Sequence, residues 1–213
     1  RQVSSAASDV YKRQAKKRYI LNVWDSEGVR YEEPKLKMMG IEAVKSSTPA
    51  PCRTLIKNAL KLIMNGTEDD VIDFIEKSRT EFKKLPPEDI SFPRSASNVE
   101  KYRAVNSIYA KGTPIHIRGS LLFNYYVKKK KLDNKYSLIG NGEKVKFCYL
   151  KLPNPIHENV MSFIQDFPKE LELNNYVDYD LQFEKSFIEP LKAILNAIGW
   201  SVEKTATLEA FFT

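Results

Sequence analysis

The sequence has 213 residues, of which 42% are hydrophobic, and its 34 Lys and Arg against 27 Asp and Glu give a net charge of +7. This composition is typical of a soluble globular protein and excludes a disordered or collagen-like chain. No run of about 18 apolar residues is present and the first residues lack an apolar signal segment, so neither a membrane-spanning nor a secreted protein is predicted.

The first predicted elements are a β-hairpin and two helices. Aromatic or β-branched residues alternate with polar ones over residues 18–24 and 30–38, on either side of an Asp-Ser-Glu-Gly turn. The second helix is expected to begin at Thr67, a capping residue followed by three acids, and to run antiparallel to the first. The first ends at Gly66, and its apolar face is predicted to consist of Leu55, Ile56, Ala59, Leu60 and Ile63.

The second half of the chain has a less regular pattern. A loop follows Pro86 and Pro87, with a short strand predicted near residues 89–92. A Thr-Pro start then predicts a helix that ends in four lysines, with an apolar face formed by Ile117, Leu121, Leu122 and Tyr125. Alternation around residues 140–142 predicts a second hairpin, and residues 174–200 predict a long helix with a kink at Pro190.

The basic residues are concentrated in one segment. Residues 101–151 hold 12 Lys and Arg but 2 Asp and Glu, a net charge of +10, whereas residues 152–213 have a net charge of −6. A basic segment of this kind indicates a polyanionic partner, most often nucleic acid, although a solvated basic face has the same composition.

Local motifs for enzyme chemistry are absent from the sequence. No phosphate-binding, dinucleotide-binding, zincin or hydrolase string is present. Cys52, Cys148, His116 and His157 stand apart, so neither a zinc site nor a disulfide framework is predicted, and a reducing cytoplasm fits best. The carboxylates of residues 178 and 180 would diverge on a helix and are interpreted as a helix-opening cluster rather than a metal site.

The strongest local feature is the Lys-Lys-Arg-Tyr run at residues 16–19, at the start of the first predicted strand. Alternate side chains of a strand point to opposite faces, so the cations can contact a nucleic-acid backbone while the aromatic residue anchors the strand. A charged strand edge that prevents aggregation is the alternative reading. The lysines 128–131 are a weaker candidate, because successive lysines point in different directions around a helix.

These residues resemble a known family. Residues 16–49 read KKRYILNVWDSEGVRYEEPKLKMMGIEAVKSSTP and closely resemble the end of the palm and the start of the thumb in family B DNA polymerases of T-even tailed phages. Further similarity in PIHIRGSLLFNYY, GNGEKVKFCYL, FEKSFIEPL and TLEAFFT extends it to residue 213. The resemblance implies an α+β fold, with a small palm-derived β-hairpin followed by a mainly α-helical thumb that carries an additional β-hairpin.

The resemblance also implies roles for individual residues. In that family the KKRY lysines and the lysine of the K-S-S-T-P turn approach the minor groove of the new duplex, and the arginine and tyrosine steady the primer strand. By motif, these roles fall to Lys16, Lys17, Arg18, Tyr19 and Lys45. Lysine suits this task because minor-groove acceptors lie in similar places in every Watson–Crick pair. Local charge alone adds three further candidate DNA contacts: Lys101, Lys111 and Arg118.

The final segment resembles the sliding-clamp-binding tail of these polymerases. Its aliphatic anchor Leu208 and two rings, Phe211 and Phe212, suit insertion into a hydrophobic pocket of a clamp. The alternative is that the two rings pack on the protein's own core.

The family's DxxSLYP and DTD metal-binding motifs, its fingers and its exonuclease are not in this sequence. We therefore expect a C-terminal polymerase fragment that is inactive alone and binds no cofactor, whereas the parent polymerase would use Mg²⁺. The expected segments are a non-native or disordered leader (1–14), the palm-derived hairpin (15–46), the thumb (47–202) and the clamp-binding tail (203–213). Its expected partners are primer-template DNA, the sliding clamp and the remainder of the polymerase, in the cytoplasm of a phage-infected bacterium.

Two other function classes stay open at this point. A free-standing basic nucleic-acid-binding module would bind single strands or A-form RNA at least as tightly as duplex DNA. A protein-interaction module with a solvated basic face would show no salt-dependent affinity for nucleic acid.

Overall fold

The computed structural model describes residues 10–15, 18–26, 29–39 and 45–204, the first three ranges as strands only. The described chain forms two compact units. One combines the three strands with residues 53–80 and 187–204, and the other combines residues 45–52 with 81–186. Helices are in the majority and both sheets are small and antiparallel, so the predicted α+β fold class is confirmed. No helix among the described residues is long and apolar enough to cross a membrane.

The first unit contains a three-stranded antiparallel sheet with strands in chain order: β1 (Val10–Ala15), β2 (Arg18–Ser26) and β3 (Val29–Met39). Strands β2 and β3 form the predicted hairpin, with a register shift between Val23 and Asp25. Strand β1 pairs along β2 and was not predicted, since most of it lies in the segment expected to be a leader.

Both predicted helices after the hairpin are confirmed, as α1 (Ala50–Asn65) and α2 (Glu68–Phe82). Helix α2 begins at a reciprocal cap. The backbone nitrogen of Thr67 donates to Asp70 Oδ2 at 2.8 Å, and the backbone nitrogen of Asp70 donates to Thr67 Oγ1 at 3.3 Å. This arrangement satisfies two amide groups at the helix start, and the bonds from Thr67 lower the pKa of Asp70.

The core of the first unit consists of fully buried aliphatic residues from α1, α2 and the last helix, α6 (Glu189–Ala197). Four of the five residues predicted for the inner face of α1 are among them, and Leu55 is half-buried. The fully buried residues of this core are Ile56, Ala59, Leu60, Ile63, Val71, Ile75, Leu191 and Leu195.

The second unit is built on another antiparallel sheet with β5 (Glu143–Tyr149) between β4 (Phe92–Ala96) and β6 (Val160–Phe163). The predicted lysine-ended helix, α4 (Ile115–Lys129), packs closely on β6. A Cβ atom at Gly119 would lie 2.8 Å from the backbone nitrogen of Ser162, so glycine permits this approach. The carbonyl of His116 accepts from Ser162 Oγ at 2.8 Å and thereby ties the helix to the strand.

The second predicted hairpin, around residues 140–142, is wrong. Strand β5 follows this turn, but its partners are β4 and β6, and no strand lies immediately before the turn. The reason is that the buried side chain of Asn124 takes the place of a partner strand. Its Nδ2 donates to the carbonyl of Ile139 at 2.9 Å, and its Oδ1 accepts from the Ile139 nitrogen at 2.7 Å.

Two other local predictions need correction. The strand expected near residues 89–92 begins at Phe92, because the preceding residues form a short helix, α3 (Pro87–Ile90), rather than the predicted loop; the fixed φ of Pro87 suits the first turn of a helix. Tyr125, predicted to lie on the apolar face of α4, is 41% exposed. Phe123 and Val127 are buried, so the inner face of α4 is turned away from Tyr125.

The long helix predicted for residues 174–200 is divided. Three-residue 3₁₀ turns at Lys169–Leu171 and Asn174–Tyr176 precede α5 (Tyr179–Phe183), and a π-helical turn (Glu184–Ile188) connects α5 to α6. Pro190 has no N–H to donate to the carbonyl of residue 186, and its ring crowds that carbonyl, so the helix widens just before it. The predicted helix-opening role of Asp178 is confirmed, because its Oδ1 accepts from the nitrogen of Leu181 at 3.1 Å.

Candidate nucleic-acid interface

The turn at residues 45–49 closes the recognised motif, and the structure describes its side chains. The backbone nitrogen of Thr48 donates to the carbonyl of Lys45 at 3.0 Å, which closes the turn immediately before α1. Lys45 is exposed and Pro49 is buried. The turn is therefore anchored at its Pro49 end, and Lys45 lies at its exposed end.

Arg94 fixes this turn to the sheet of the second unit. Its Nη1 donates to the carbonyl of Ser47 at 2.9 Å and to the carbonyl of Pro93 at 2.8 Å. Its guanidinium lies over the rings of Phe92 and Phe147, 5.9 and 5.7 Å from their centroids. Alternate residues of a strand share a face, which is why Phe92 supports the arginine two positions later.

A cavity of about 420 Å³ opens between the turn and strands β4 and β5. Ser95 and Lys144 are paired in the strand register and lie at its wall. Among the described residues, the lining combines hydroxyl groups, two cations and no carboxylate, and it consists of Ser46, Ser47, Pro93, Arg94, Ser95, Lys144 and Val145. Neighbouring Glu143 does not line it, and its Oε2 accepts from the nitrogen of Gly140 at 3.2 Å.

This combination is suited to a phosphate group. Both hydrogen bonds that Arg94 makes within the described chain use Nη1, so its Nε and Nη2 donors remain for another acceptor. Arginine, lysine and serine donors are the side chains that most often contact phosphate oxygens of nucleic acids. The cavity can therefore hold one backbone phosphate beside the exposed Lys45.

His116 lies at the edge of the same group of residues. Its ring centroid is 6.3 Å from that of Phe147. Burial, followed by the charge of Arg94, lowers the pKa of His116, while a hydrogen bond with the backbone of Ser95 opposes that shift. The imidazole is therefore neutral at physiological pH and adds no charge to the site.

Two of the three candidates chosen from local charge flank a second basic element. Ala110 donates its backbone N–H to the carbonyl of Tyr102 at 2.8 Å, which closes a surface loop over residues 102–110. Lys101 and Lys111 are exposed on either side of this loop, and Val105 near its tip is fully exposed. The loop thus carries cations at its base and an exposed apolar residue near its tip.

The third candidate, Arg118, is integrated into the fold. Its Nη2 donates to Asn159 Oδ1 at 2.7 Å, and its guanidinium lies 5.7 Å from the ring centroid of Tyr109. The Tyr109 hydroxyl in turn donates to Glu158 Oε1 at 2.7 Å, so the arginine positions a local network. Its Nε is buried with no partner among the described atoms.

Several predicted site residues are not placed by their side chains. Arg18 and Tyr19 open strand β2, which is described by its backbone alone, where Tyr19 is paired with Gln14 and Met39. The remaining predicted contacts lie outside the described residues: Lys16, Lys17, Leu208, Phe211 and Phe212.

The structure adds residues that sequence reasoning missed. Arg94 and Lys144 are far from the 45–49 turn in sequence and reach the cavity through the pairing of β4 with β5. Ser46 and Ser47 lie inside the recognised motif, so the motif itself was a usable signal. No group of three or more His, Cys, Asp or Glu that could hold a metal occurs among the described residues.

Known proteins resemble this chain over most of its length. The DNA-directed DNA polymerase of Escherichia phage RB69 is 35% identical over 202 residues, which are 92% of this chain and 22% of that polymerase. The DNA-directed DNA polymerase of Enterobacteria phage T4 is 30% identical over 202 residues, 93% of this chain and 22% of that polymerase. No protein-family model matches. The predicted resemblance to T4-like phage polymerases is confirmed, and this chain spans 22% of the length of these relatives.

Proposed function

We propose that this chain, similar over most of its length to T4-like phage DNA polymerases, binds primer-template DNA as the thumb portion of such an enzyme. Its task would be to hold the duplex without regard to base sequence while other parts of the polymerase carry out synthesis. The remainder of the polymerase is then its first protein partner, and the cytoplasm of an infected bacterium is its place of action.

The observation that supports this proposal best is the cavity beside the 45–49 turn. Arg94 and Lys144 supply positive charge there, and Ser46, Ser47 and Ser95 supply short hydroxyl side chains. Phosphate contacts set the register and orientation of a duplex but carry no sequence information. A site of this composition fits a protein that must accept every template.

Lys45 gives the turn a second task. Its exposed side chain starts from the turn that Arg94 anchors, so it can extend from the bound phosphate into the adjacent minor groove. Minor-groove acceptors keep nearly the same positions in all correct base pairs, and a mismatch displaces them. We infer that Lys45 acts with Lys16 and Lys17 to sense correct pairing, while Arg18 and Tyr19 steady the primer strand.

The tail is assigned a separate partner. We propose that Leu208, Phe211 and Phe212 insert into a hydrophobic pocket of a sliding clamp, as a short apolar anchor can do without occupying the duplex site. Tethering of this kind would keep the polymerase on its template between successive additions.

We assign DNA binding, and no chemical step, to this chain. The described residues offer no cluster that fits the Mg²⁺ of a polymerase, and the carboxylate motifs expected to hold it are not in the sequence. Our proposal therefore includes no metal-dependent step here.

The test is a fluorescence-anisotropy titration of the 213-residue chain with primer-template DNA, single-stranded DNA and duplex RNA at two salt concentrations. We expect salt-sensitive binding that favours the DNA duplex. Lys144→Gln should weaken it equally for unrelated sequences and reduce the slope of log K against log salt by about one. Lys77→Gln, which removes an exposed lysine from α2, is the matched control. Equal or tighter binding of duplex RNA, or no salt dependence, would overturn the proposal.

A further inference from the structure

An exposed aromatic residue on α4 is not used by the proposed duplex site. Tyr125 is 41% exposed, although its neighbours Leu121, Leu122 and Phe123 in the same helix are buried. Isolated exposed apolar residues are common, so exposure alone indicates nothing. The surroundings of Tyr125 are what distinguish it.

Tyr125 is the outer member of a compact group, which we call the tyrosine patch: Tyr125, Tyr126, Lys128 and Lys129. The rings of Tyr125 and Tyr126 meet edge to face, with centroids 5.0 Å apart. Lys129 Nζ lies 5.5 Å from the centroid of Tyr125 and 5.8 Å from that of Tyr126. The cation is therefore held beside the exposed ring, because an ammonium is attracted to an aromatic face.

The lysine run divides its side chains between the patch and the body of the protein. Lys130 Nζ donates to the carbonyl of Glu170 at 2.9 Å, so this side chain is held by a segment outside the helix. Lys131 adopts a left-handed backbone with a φ of 55°, which ends the helix. Lys128 and Lys129 are exposed in the last turn of α4, next to Tyr125.

One acid that acts on the patch is already engaged. Burial is the main cause that raises the pKa of Tyr126. Lys129 lowers this pKa in part, and the charge of Glu158 raises it. The Glu158 carboxylate accepts the hydroxyl hydrogen of Tyr109 at 2.7 Å and is half-buried. The exposed part of the patch therefore presents one accessible ring and two cations.

We propose that the tyrosine patch is a binding site for single-stranded DNA, with one base stacked on Tyr125 and the adjacent phosphates paired with Lys128 and Lys129. Stacking on an aromatic side chain needs a base whose face is free, which an intact duplex does not offer. The binding tolerates any sequence because every base has a flat face. The patch thus adds a single-strand site to a chain whose other site is proposed for duplex.

An acidic peptide is the competing occupant, and the chemistry separates the two. Carboxylates would pair with the lysines and gain little from an aromatic ring, so loss of the ring should leave peptide binding nearly unchanged. A nucleotide uses the ring and the cations together. Replacement of Tyr125 is therefore the decisive change.

The experiment titrates the 213-residue chain into labelled oligo(dT) of about 12 nucleotides and, separately, into a fully paired DNA duplex with no overhang. Tyr125→Leu should weaken oligo(dT) binding about tenfold, while Tyr125→Phe, which keeps the ring, should stay within about twofold of the unaltered chain. Neither change should alter duplex affinity. Circular dichroism and thermal unfolding verify that each variant is folded.

Three results would overturn the proposal. The first is equal oligo(dT) affinity for Tyr125→Leu and the unaltered chain. The second is an equal loss of affinity for oligo(dT) and for duplex. The third is a loss of affinity in Lys129→Gln but not in Tyr125→Leu, together with competition by poly-glutamate. Lys144→Gln provides the comparison with the duplex site, because it should weaken duplex binding and leave oligo(dT) binding nearly intact. Different variants therefore test the single-strand site and the duplex site, so the failure of one site can be told from the failure of the other.

Discussion

The side chain of Asn124 pairs with the backbone of Ile139 as a neighbouring strand would, donating to its carbonyl at 2.9 Å and accepting from its nitrogen at 2.7 Å. Asn124 is buried in α4, and Ile139 is buried in the segment that leads to β5. One amide therefore satisfies a segment that has no partner strand, and it holds the approach to β5 against the helix.

Asn124→Leu should lower the free energy of unfolding by about 2–4 kcal/mol, because it leaves two buried backbone groups of Ile139 without partners. Urea denaturation followed by circular dichroism measures the change. Asn58→Ala, at an exposed position of α1, is the control and should stay within about 0.5 kcal/mol. A loss for Asn124→Leu no greater than that of the control would show that the pair contributes little.

The contact between α4 and β6 depends on the lack of a side chain at Gly119. In Gly119→Ala the new methyl group would lie 2.8 Å from the nitrogen of Ser162, so the helix must shift and stability should fall by about 1–3 kcal/mol. Gly140→Ala is the matched control, since a methyl group there meets no atom within 4 Å. Thermal unfolding of the two variants tests the prediction, which fails if both have the same midpoint.

The lysines assigned to the minor groove give a prediction on binding. Lys17→Ala combined with Lys45→Ala should weaken binding of primer-template duplex and flatten its salt dependence, because two cations leave the interface. Anisotropy titrations at several salt concentrations measure both quantities. Lys57→Ala with Lys61→Ala, which removes two exposed lysines from α1, controls for net charge. An unchanged affinity and slope would contradict the assignment.

The lowered pKa of His116 predicts that the folded protein loses stability in mild acid. Burial and Arg94 lower its pKa in the folded state, so as the pH falls through about 6.5 the unfolded chain takes up a proton more readily than the folded one. Stability contributed by the neutral imidazole is therefore lost as the pH falls from about 6.5 toward the folded pKa. Denaturant titrations of His116→Gln should show a shallower decline over this range than the unaltered chain.

His157→Asn is the control for the acid measurement. His157 is exposed, and its left-handed φ of 54° is one that asparagine accepts. The control should follow the pH dependence of the unaltered chain. If His116→Gln also follows it, the imidazole of His116 does not account for the decline.

The two thiols should be inert in the folded protein. Burial raises the pKa of Cys52 to about 11 and that of Cys148 to about 12, and the thiolate is the reactive form. Ellman's reagent at about pH 8 should therefore modify neither thiol until the chain is unfolded, when both react. Rapid modification of the folded chain would show that at least one thiol is accessible.

Elements defined by neighbouring residues could be predicted from the sequence. The reciprocal cap of α2 uses Thr67 and Asp70, three positions apart, and Gly66 lies at the end of α1, so both boundaries are visible in a short window. The β2–β3 hairpin is equally local. Sequence reasoning works here because the partners that determine the structure are close in the chain.

Contacts between distant segments could not be predicted in this way. The bond from Arg94 to Ser47 joins residues 47 positions apart, and no local pattern marks either as the partner of the other. The position of Tyr125 was misread for a related reason. Helix α4 has buried residues on several sides, among them Ile117, Leu121, Leu122, Phe123 and Val127, so periodicity alone does not identify its open side.

The π-helical turn at Glu184–Ile188 also fixes how the chain can vary in length. A π turn inside a helix is equivalent to one inserted residue, and it lets Phe183, Phe187, Leu191 and Leu195, each four positions apart, all remain buried. Deletion of one residue from this turn would restore a regular helix and leave the helical residues on either side in place, because the wide turn takes up the extra residue locally. Lys192 and Asn196 would then stay exposed, so a chain one residue shorter at this turn can keep the inner and outer side chains of α6 unchanged.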